Sequence, residues 1–482
     1  MLRAGISRAT ITPPVGMTMA GYAGREGVAN GVDSDLTATA LVLDDEKRKV
    51  VIIGLDLIFV VTPLNTALRE SVAERLGILS SQVLLNCSHT HCGPTLCDFH
   101  YDDDPEQDRL RQAYAERLSF VIPELASEAA ARLVAARIGT SVGDARIGIN
   151  RREVDMDGSV MLGRNGDGPV DHEVRVVRID DLSGKPMAVV FAHGCHTVTM
   201  GPKCLKWSSD YVGPARDLIE KTLGCLSVFL QANAGDINPI CGIGTAEDDC
   251  SEKNRIGWIL GGEVLQVHSS IYTESRPGPR AFFGTLSKAS IYPRIKLEGG
   301  QEGDIQAVEE ELWLPLQRLP GRCEAAEILE QCEADLKALL LEKAPEARLN
   351  VARRYRHWAR ALHEAASRGE EAVLKGSVQG IRVGDLGIVA FPGETFAALG
   401  TQVKNRSPIS NSLLLGYSNG CLCYIPTRDA FPKEGWSVHK RYHVPDMLFP
   451  AYAVPTALTP DAGERVVEKS LKILAELKGM RS

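Results

Sequence analysis

The segment Asn86-Cys87-Ser88-His89-Thr90-His91-Cys92-Gly93-Pro94 directly follows a short apolar run, Val83-Leu84-Leu85. An alternating His-x-His leaving a buried strand can send both imidazoles into one cavity, and neutral imidazole is the commonest protein ligand for zinc. Taken alone, such a pair is more often an ordinary surface feature than a metal site. Three further segments repeat the layout, an apolar run followed by polar residues and a Gly or Pro turn. Residues 189–197 carry His193 and His196, residues 388–395 carry Pro392-Gly393-Glu394, and residues 416–427 carry Tyr424. In open α/β sheets, sites form beyond the carboxyl ends of strands, where loops distant in sequence converge. Two imidazoles and a carboxylate from such loops would make a His/His/Glu zinc site with room for water or substrate.

Each piece also has a purely structural reading. Glu394 can cap the helix that follows it. His196 can be a hydrogen-bonded core histidine, and Tyr424 can simply pack. His193, three residues before His196, is expected to face the opposite way and remain structural. A fifth segment, residues 231–239, contributes Gly235 for a sharp turn, with Asp236 and Asn238 able to orient polar groups. Asp210 stands before a helix that it could cap, or it faces the site. Asp56, between Leu55 and Leu57 in a buried run, needs a partner; a hydrogen bond to a ligand histidine is a natural one.

The elements that must hold these residues are legible as compact apolar runs at 50–55, 82–85, 187–192, 226–230, 386–391 and 413–415, all reading as buried strands. Amphipathic stretches at 66–76, 107–136, 213–222 and 462–477 read as helices between them. Strands with unbroken apolar runs, interleaved with helices, predict an α/β fold of mixed sheets with covering helices. Residues 324–368 are long, charged and rich in Ala and Leu, broken near Pro345; they read as a helical hairpin inserted at about 320–370. With no repeat and no low-complexity linker, a single catalytic domain over 1–482 is expected.

The chain has 482 residues and a net charge of −8, with a pI of about 5.8. A mildly acidic balance argues against nucleic acid and anionic membranes as main partners. No run approaches the ~18 apolar residues of a membrane span. Met1-Leu2-Arg3-Ala4-Gly5 lacks the basic and apolar regions of a signal peptide, so a cytoplasmic location and reduced cysteines are expected. The expected partner is a small-molecule substrate, and the sequence leaves the oligomeric state open.

Taken in order, Ile6-Ser7-Arg8-Ala9-Thr10-Ile11-Thr12-Pro13-Pro14, Ser88-His89-Thr90-His91 with Gly93-Pro94, Asn150-Arg151, His196-Thr197, Gly235-Asp236, Pro392-Gly393-Glu394 and Tyr424-Ile425-Pro426-Thr427 resemble the N-terminal catalytic domain of the neutral/alkaline (non-lysosomal) ceramidase family. The resemblance implies one zinc held by His89, His196, Glu394 and Tyr424, with His91 and Arg151 in the same pocket. It also implies hydrolysis of an amide by metal-activated water. Two positions depart from the family pattern. Asn238 stands where the family has an active-site Ser, and Trp436 stands where it has a second Tyr. The chain also ends soon after the catalytic region, so the family's immunoglobulin-like C-terminal domain is expected to be missing. The resulting expectation is a zinc hydrolase acting on a small soluble amide or ester, with His91, Arg151 and Asn238 at the chemistry and Asp210, Asp236 and Trp436 toward substrate. A genuine ceramidase cleaving N-acyl sphingosine and a non-catalytic zinc-binding protein are the alternatives.

Overall fold

The structure is a computed structural model and describes residues 1–96, 104–156, 160–245, 250–284, 288–369, 371–431 and 449–480. Trp436 lies outside the described residues.

Eight strands form the larger sheet. From one edge to the other they are Leu226–Gln231, Pro186–His193, Glu173–Asp181, Val134–Asp144, Arg3–Thr10, Thr37–Asp44, Lys49–Leu55 and Val83–Cys87. The middle of this sheet is antiparallel, and the pair at each edge is parallel. A second sheet of four strands runs in the order Ile305–Pro315, Val373–Val383, Leu386–Ala390, Asn411–Leu415, and its last pair is also parallel.

The two sheets pack face to face. Strand side chains alternate between faces, and both faces here are apolar. Leu41, Leu43 and Ile52 point into the space between the sheets, where they meet Ile381, Ile388 and Leu413. Their neighbours Ala40, Val42, Val51 and Ile53 face outward and pack under the helices Leu64–Leu76 and Pro105–Ala131. Val212–Leu223 and Ser251–Ser270 cover the other half of that outer face. Ala397–Arg406 and Ala462–Gly479 cover the second sheet. The result is four layers, helix–sheet–sheet–helix, in agreement with the α/β class read from the apolar runs. Between two strands of the small sheet, the helices Arg322–Leu341 and Glu346–Arg368 pack on each other around Trp358, whose indole N–H donates to the Val454 carbonyl at 3.0 Å.

One sequence boundary is corrected. The helix expected over 107–136 ends at Ala131, and Val134–Asp144 is a strand. Alanines continue across the junction and hide it, while Ala136 belongs to the core between the sheets. Among the described residues no helix is long and apolar enough to cross a membrane.

Candidate metal centre

Three parallel strand pairs end at one place: Lys49–Leu55 with Val83–Cys87, Pro186–His193 with Leu226–Gln231, and Leu386–Ala390 with Asn411–Leu415. Buried amides join these ends. Asn86 donates from Nδ2 to the carbonyls of Gln231 (3.1 Å) and Gly416 (2.9 Å), and its Oδ1 accepts from the Gln231 N–H at 2.7 Å. Gln231 in turn donates to the carbonyls of Ser88 (3.1 Å) and Cys195 (2.7 Å). Asn233 accepts from Thr395 Oγ1 at 2.6 Å. The loops beyond the strands are therefore fixed relative to one another by fully used polar groups.

His89 sits at the end of the first pair with a left-handed backbone (φ 62°), a conformation uncommon outside glycine and typical of constrained sites. Its N–H donates to the Leu57 carbonyl at 2.9 Å, and its Nδ1–H donates to the Ile58 carbonyl at 3.0 Å. The Nδ1–H of His196 donates to the Ala234 carbonyl at 2.6 Å. Because a carbonyl only accepts, each Nδ1 carries a proton, and in the neutral imidazole the lone pair is then on Nε2. The two Nε2 atoms lie 3.4 Å (His89) and 3.3 Å (His196) from one oxygen, Oε2, of Glu394. His91 Nε2 is 3.3 Å from His89 Nε2, and the ring nitrogens of His89, His91 and His196 cluster within 4.8 Å, all buried.

Glu394 pairs backbone to backbone with Tyr424 in a short parallel bridge. Gly235 permits this approach: a Cβ there would stand 2.4 Å from the Glu394 carbonyl oxygen. Tyr417 donates to Glu394 Oε2 at 3.2 Å, and Tyr452 donates to Oε1. Arg151 Nη2 donates to the Tyr424 hydroxyl at 2.8 Å, and Nη1 donates to Asn238 Oδ1 at 3.4 Å. His89, His91, His196, Glu394, Tyr424, Arg151 and Asn238 thus come together.

Burial sets the protonation of the cluster. It holds the His91 imidazolium well below its ordinary range, and the neighbouring histidines add to the effect. Burial and then the Arg151 charge push His196 down to about 3. Burial works against the Glu394 carboxylate, but attraction to and hydrogen bonds from His89 and His196 when these rings carry a proton outweigh it and hold the carboxyl well below the usual range, a role that a bound cation would also fill. For Arg151, burial opposes the charge, yet Tyr424 and Glu394 outweigh it and keep the guanidinium charged.

Neutral imidazoles and an ionised carboxylate are the protonation states in which these groups bind metal. Their lone pairs face one another, an arrangement relieved only by a proton or a cation, and His196 Nε2 lacks a well-angled hydrogen bond. Three buried imidazoles, His89, His91 and His196, with a carboxylate beside them could hold a metal ion, and both donor types are among those zinc accepts.

Other sequence expectations fall elsewhere. Asp210 is fully buried and accepts from the N–H groups of Thr199 (3.3 Å), Met200 (2.9 Å) and Tyr211 (2.7 Å) and from Thr199 Oγ1 (2.5 Å). Through these bonds it braces the loop after His196. Asp236 accepts from the Ala397 N–H at 2.8 Å and from Asn150 Nδ2 at 2.9 Å, so it too is occupied by protein groups. Buried carboxylates at turns find backbone donors first, and both residues do so here. Asp56 does not support a histidine. Arg216 grips it at 2.6 and 3.1 Å, and Thr37 donates to it twice. Backbone carbonyls orient the imidazoles instead. His193 donates from Nδ1 to the Glu173 carbonyl at 2.9 Å, away from the cluster.

Tyr417 and Tyr452 were missed. Tyr417 follows the Leu413–Leu415 run after Gly416 and shares the layout of the other site loops; Tyr452 carries no such signal. Tyr22 was also missed; its ring meets His91 edge-on with centroids 4.9 Å apart.

The family model described as "Neutral/alkaline non-lysosomal ceramidase, N-terminal" matches residues 2–256. Neutral ceramidase A of Dictyostelium discoideum is 27% identical over 289 residues, which is 52% of this chain and 39% of that protein. The chain thus spans about two fifths of the length of this curated relative. The crystal structure of neutral ceramidase from Pseudomonas aeruginosa has a TM-score of 0.64 at 18% identity, covering 98% of this chain and 75% of that one. A ceramidase complexed with C2 has a TM-score of 0.66 at 16% identity, covering 99% and 75%. At these identities the two structures speak to the fold alone.

Proposed function

Because the chain belongs to the neutral/alkaline non-lysosomal ceramidase family, we propose that it is a zinc-dependent hydrolase that cleaves the amide or ester bond of a small polar acyl substrate. The observation that carries this reading is the convergence of His89 Nε2 and His196 Nε2 on Glu394 Oε2. His89, His196, Glu394 and Tyr424 would hold the metal. A zinc ion bound there supplies Lewis acidity toward an acyl carbonyl and lowers the pKa of water.

The remaining work falls to the chain's own groups. His91, neutral by burial, orients the reacting groups through Nε2 and can take up or return a proton there. Arg151 is a buried, permanently charged donor beside Tyr424. It is suited to negative charge that grows on the carbonyl oxygen, where a preorganised donor is worth about 3–4 kcal/mol. Asn238 holds Arg151 with its amide oxygen, a task a serine hydroxyl would do with a shorter reach. Tyr417 and Tyr452 fix the carboxylate of Glu394 from both of its oxygens.

The preference for a small polar substrate rests on Asn238, which stands where the family has a serine and holds Arg151; the cavity of about 550 Å³ beside Tyr452 has a wall of mixed character, with Val61, Leu374, Leu422 and Val454 as well as Asn65 and Arg69, and touches none of the four metal-holding residues. Hydrolysis of N-acyl sphingosine itself is the second reading, favoured by family membership.

Metal analysis of purified wild-type, His89→Ala and His196→Ala proteins tests the centre: wild type carries zinc and both variants lose it. Zinc retained at wild-type content in both variants would overturn the assignment. A substrate panel of short N-acyl amines, N-acyl sugars, lactones, simple esters and ceramide in detergent micelles tests the substrate, with hydrolysis lost on chelation and restored by zinc. Ceramide as the best member of the panel would establish the second reading.

A further inference from the structure

Residues 275–284 and 288–296 form a two-stranded arm that leaves the body of the fold. Its stem pairs Ser275–Pro277 with Arg294–Lys296, and its outer part pairs Ala281–Gly284 with Lys288–Ile291. An isolated two-stranded ribbon is marginal in water and normally lays one face on a core. This one does not: Phe282 is 56%, Phe283 59% and Tyr292 71% exposed.

The pairing register sorts its side chains. Ala281 stands opposite Ile291 and Phe283 opposite Ala289, so these four share one face, which is wholly apolar. The other face presents Phe282 opposite Ser290, bracketed by cations, with Arg280 4.9 Å and Lys288 5.1 Å from the ring centre. At the base, Arg294 lies 3.5 Å over the ring of Tyr272.

Charge on the arm opposes that of the chain. It contains Arg276, Arg280, Lys288, Arg294 and Lys296 and no Asp or Glu, on a protein of net charge −8. Among the described residues none of these five cations makes an ion pair. The nearest acids, Glu274 and Glu298, flank the base. An apolar face with cations gathered round its aromatic rings is the composition that enters the headgroup region of a bilayer and is drawn there by negative lipid. Nucleic acid would use rings and cations, but it leaves an Ala/Ile/Phe face without a partner.

We propose that this arm seats the protein on an anionic lipid surface, through Phe283 and Ile291 in the interface and the five cations against the headgroups. The mild acidity of the whole chain argued against such a partner; the local sign is the reverse. The proposal goes beyond the reading of the metal centre and does not depend on it.

The test is co-sedimentation with vesicles of phosphatidylcholine and phosphatidylserine in equal parts, against vesicles of phosphatidylcholine alone. The protein binds the mixed vesicles and not the neutral ones, and binding weakens as salt is raised. Arg280→Glu with Lys288→Glu lowers the affinity by at least about fivefold for each cation removed, and Phe282→Ser with Phe283→Ser abolishes it. Circular dichroism and urea midpoints unchanged from wild type show that these variants are folded. Independently, the emission of Phe283→Trp shifts to the blue on mixed vesicles only. Three results would each overturn the proposal: no binding of wild type to mixed vesicles, no emission shift with Phe283→Trp, or binding indifferent to both double variants. Tighter binding of a single-stranded RNA than of vesicles, or self-association through the arm without vesicle binding, would replace it with another partner.

Discussion

Replacing Asn86 by Leu, a side chain of nearly the same volume, removes the clamp between the three strand ends. Asn86 is wholly buried and uses its amide on both sides. In the variant, the Gln231 N–H loses its acceptor at 2.7 Å and the Gln231 carbonyl loses its donor at 3.1 Å. The Gly416 carbonyl keeps Ser418 Oγ as a donor at 2.8 Å, so it is not orphaned. Two backbone groups are then buried without partners at about 1–3 kcal/mol each, which gives a loss of about 2–6 kcal/mol. Apolar contact made by the leucine offsets little, because the surrounding atoms are polar. The same change frees the His89, His196 and Glu394 loops from one another. Groups that orient metal ligands are typically worth about 10–100-fold in metal affinity. Urea denaturation of the metal-free protein reads the first effect, and competition with a zinc-binding dye reads the second. A stability loss under about 1 kcal/mol, or an unchanged zinc affinity, would refute the idea that these buried amides hold the site together.

Arg216→Met leaves the Asp56 carboxylate buried without its counter-ion and should destabilise by about 3–5 kcal/mol in urea denaturation, while Asp56→Leu combined with Arg216→Met should cost clearly less than the sum of the two single changes. Tyr452→Phe removes one donor from Glu394 and should lower kcat/KM by about tenfold with little change in the unfolding midpoint; equal activity would exclude Tyr452 from the site. His193→Ala should keep its metal whereas His196→Ala loses it, as read by elemental analysis of both proteins. Burial pushes the Asp236 carboxyl up to about 6, against the backbone donor from Ala397. A raised carboxyl contributes stability that is full below about pH 4 and lost as pH rises through about 6, by about 3 kcal/mol. Urea midpoints between pH 4 and 7 should therefore carry a component of that sign in wild type that is missing in Asp236→Asn.

The parts of the fold legible in sequence were those buried on both faces. Runs such as Val50-Val51-Ile52-Ile53 and Val189-Val190-Phe191 stand out because every residue is apolar, and in this molecule they are the parallel strands that end at the site. Arg3–Thr10 and Glu173–Asp181 went unread because their register places Arg8 and Arg178 among apolar residues, where each guanidinium is held by a buried or half-buried acid. The histidines and Glu394 were visible through the repeated strand-then-turn layout. The groups that support them were not. A carbonyl that orients an imidazole, such as that of Ile58 or Ala234, has no side-chain signature. An asparagine clamp looks in sequence like any turn residue. Asp56 illustrates the limit: its need for a partner could be read, but its partner, on a helix about 160 positions away, could not.

Assembly of the centre from three strand ends bears on the order of events during synthesis and folding. His89, His196 and Glu394 lie far apart along the chain and meet only across pairings that close long loops, which form slowly. A ribosome must release the strands Leu386–Ala390 and Asn411–Leu415 before the carboxylate can reach the imidazoles. A metal held by the proposed set of His89, His196 and Glu394 would therefore be acquired by a chain that has already docked its second sheet, and would not serve as a nucleus for earlier steps. Loading should trail compaction in time, and a stalled nascent chain ending before Glu394 should have no high-affinity place to put the metal.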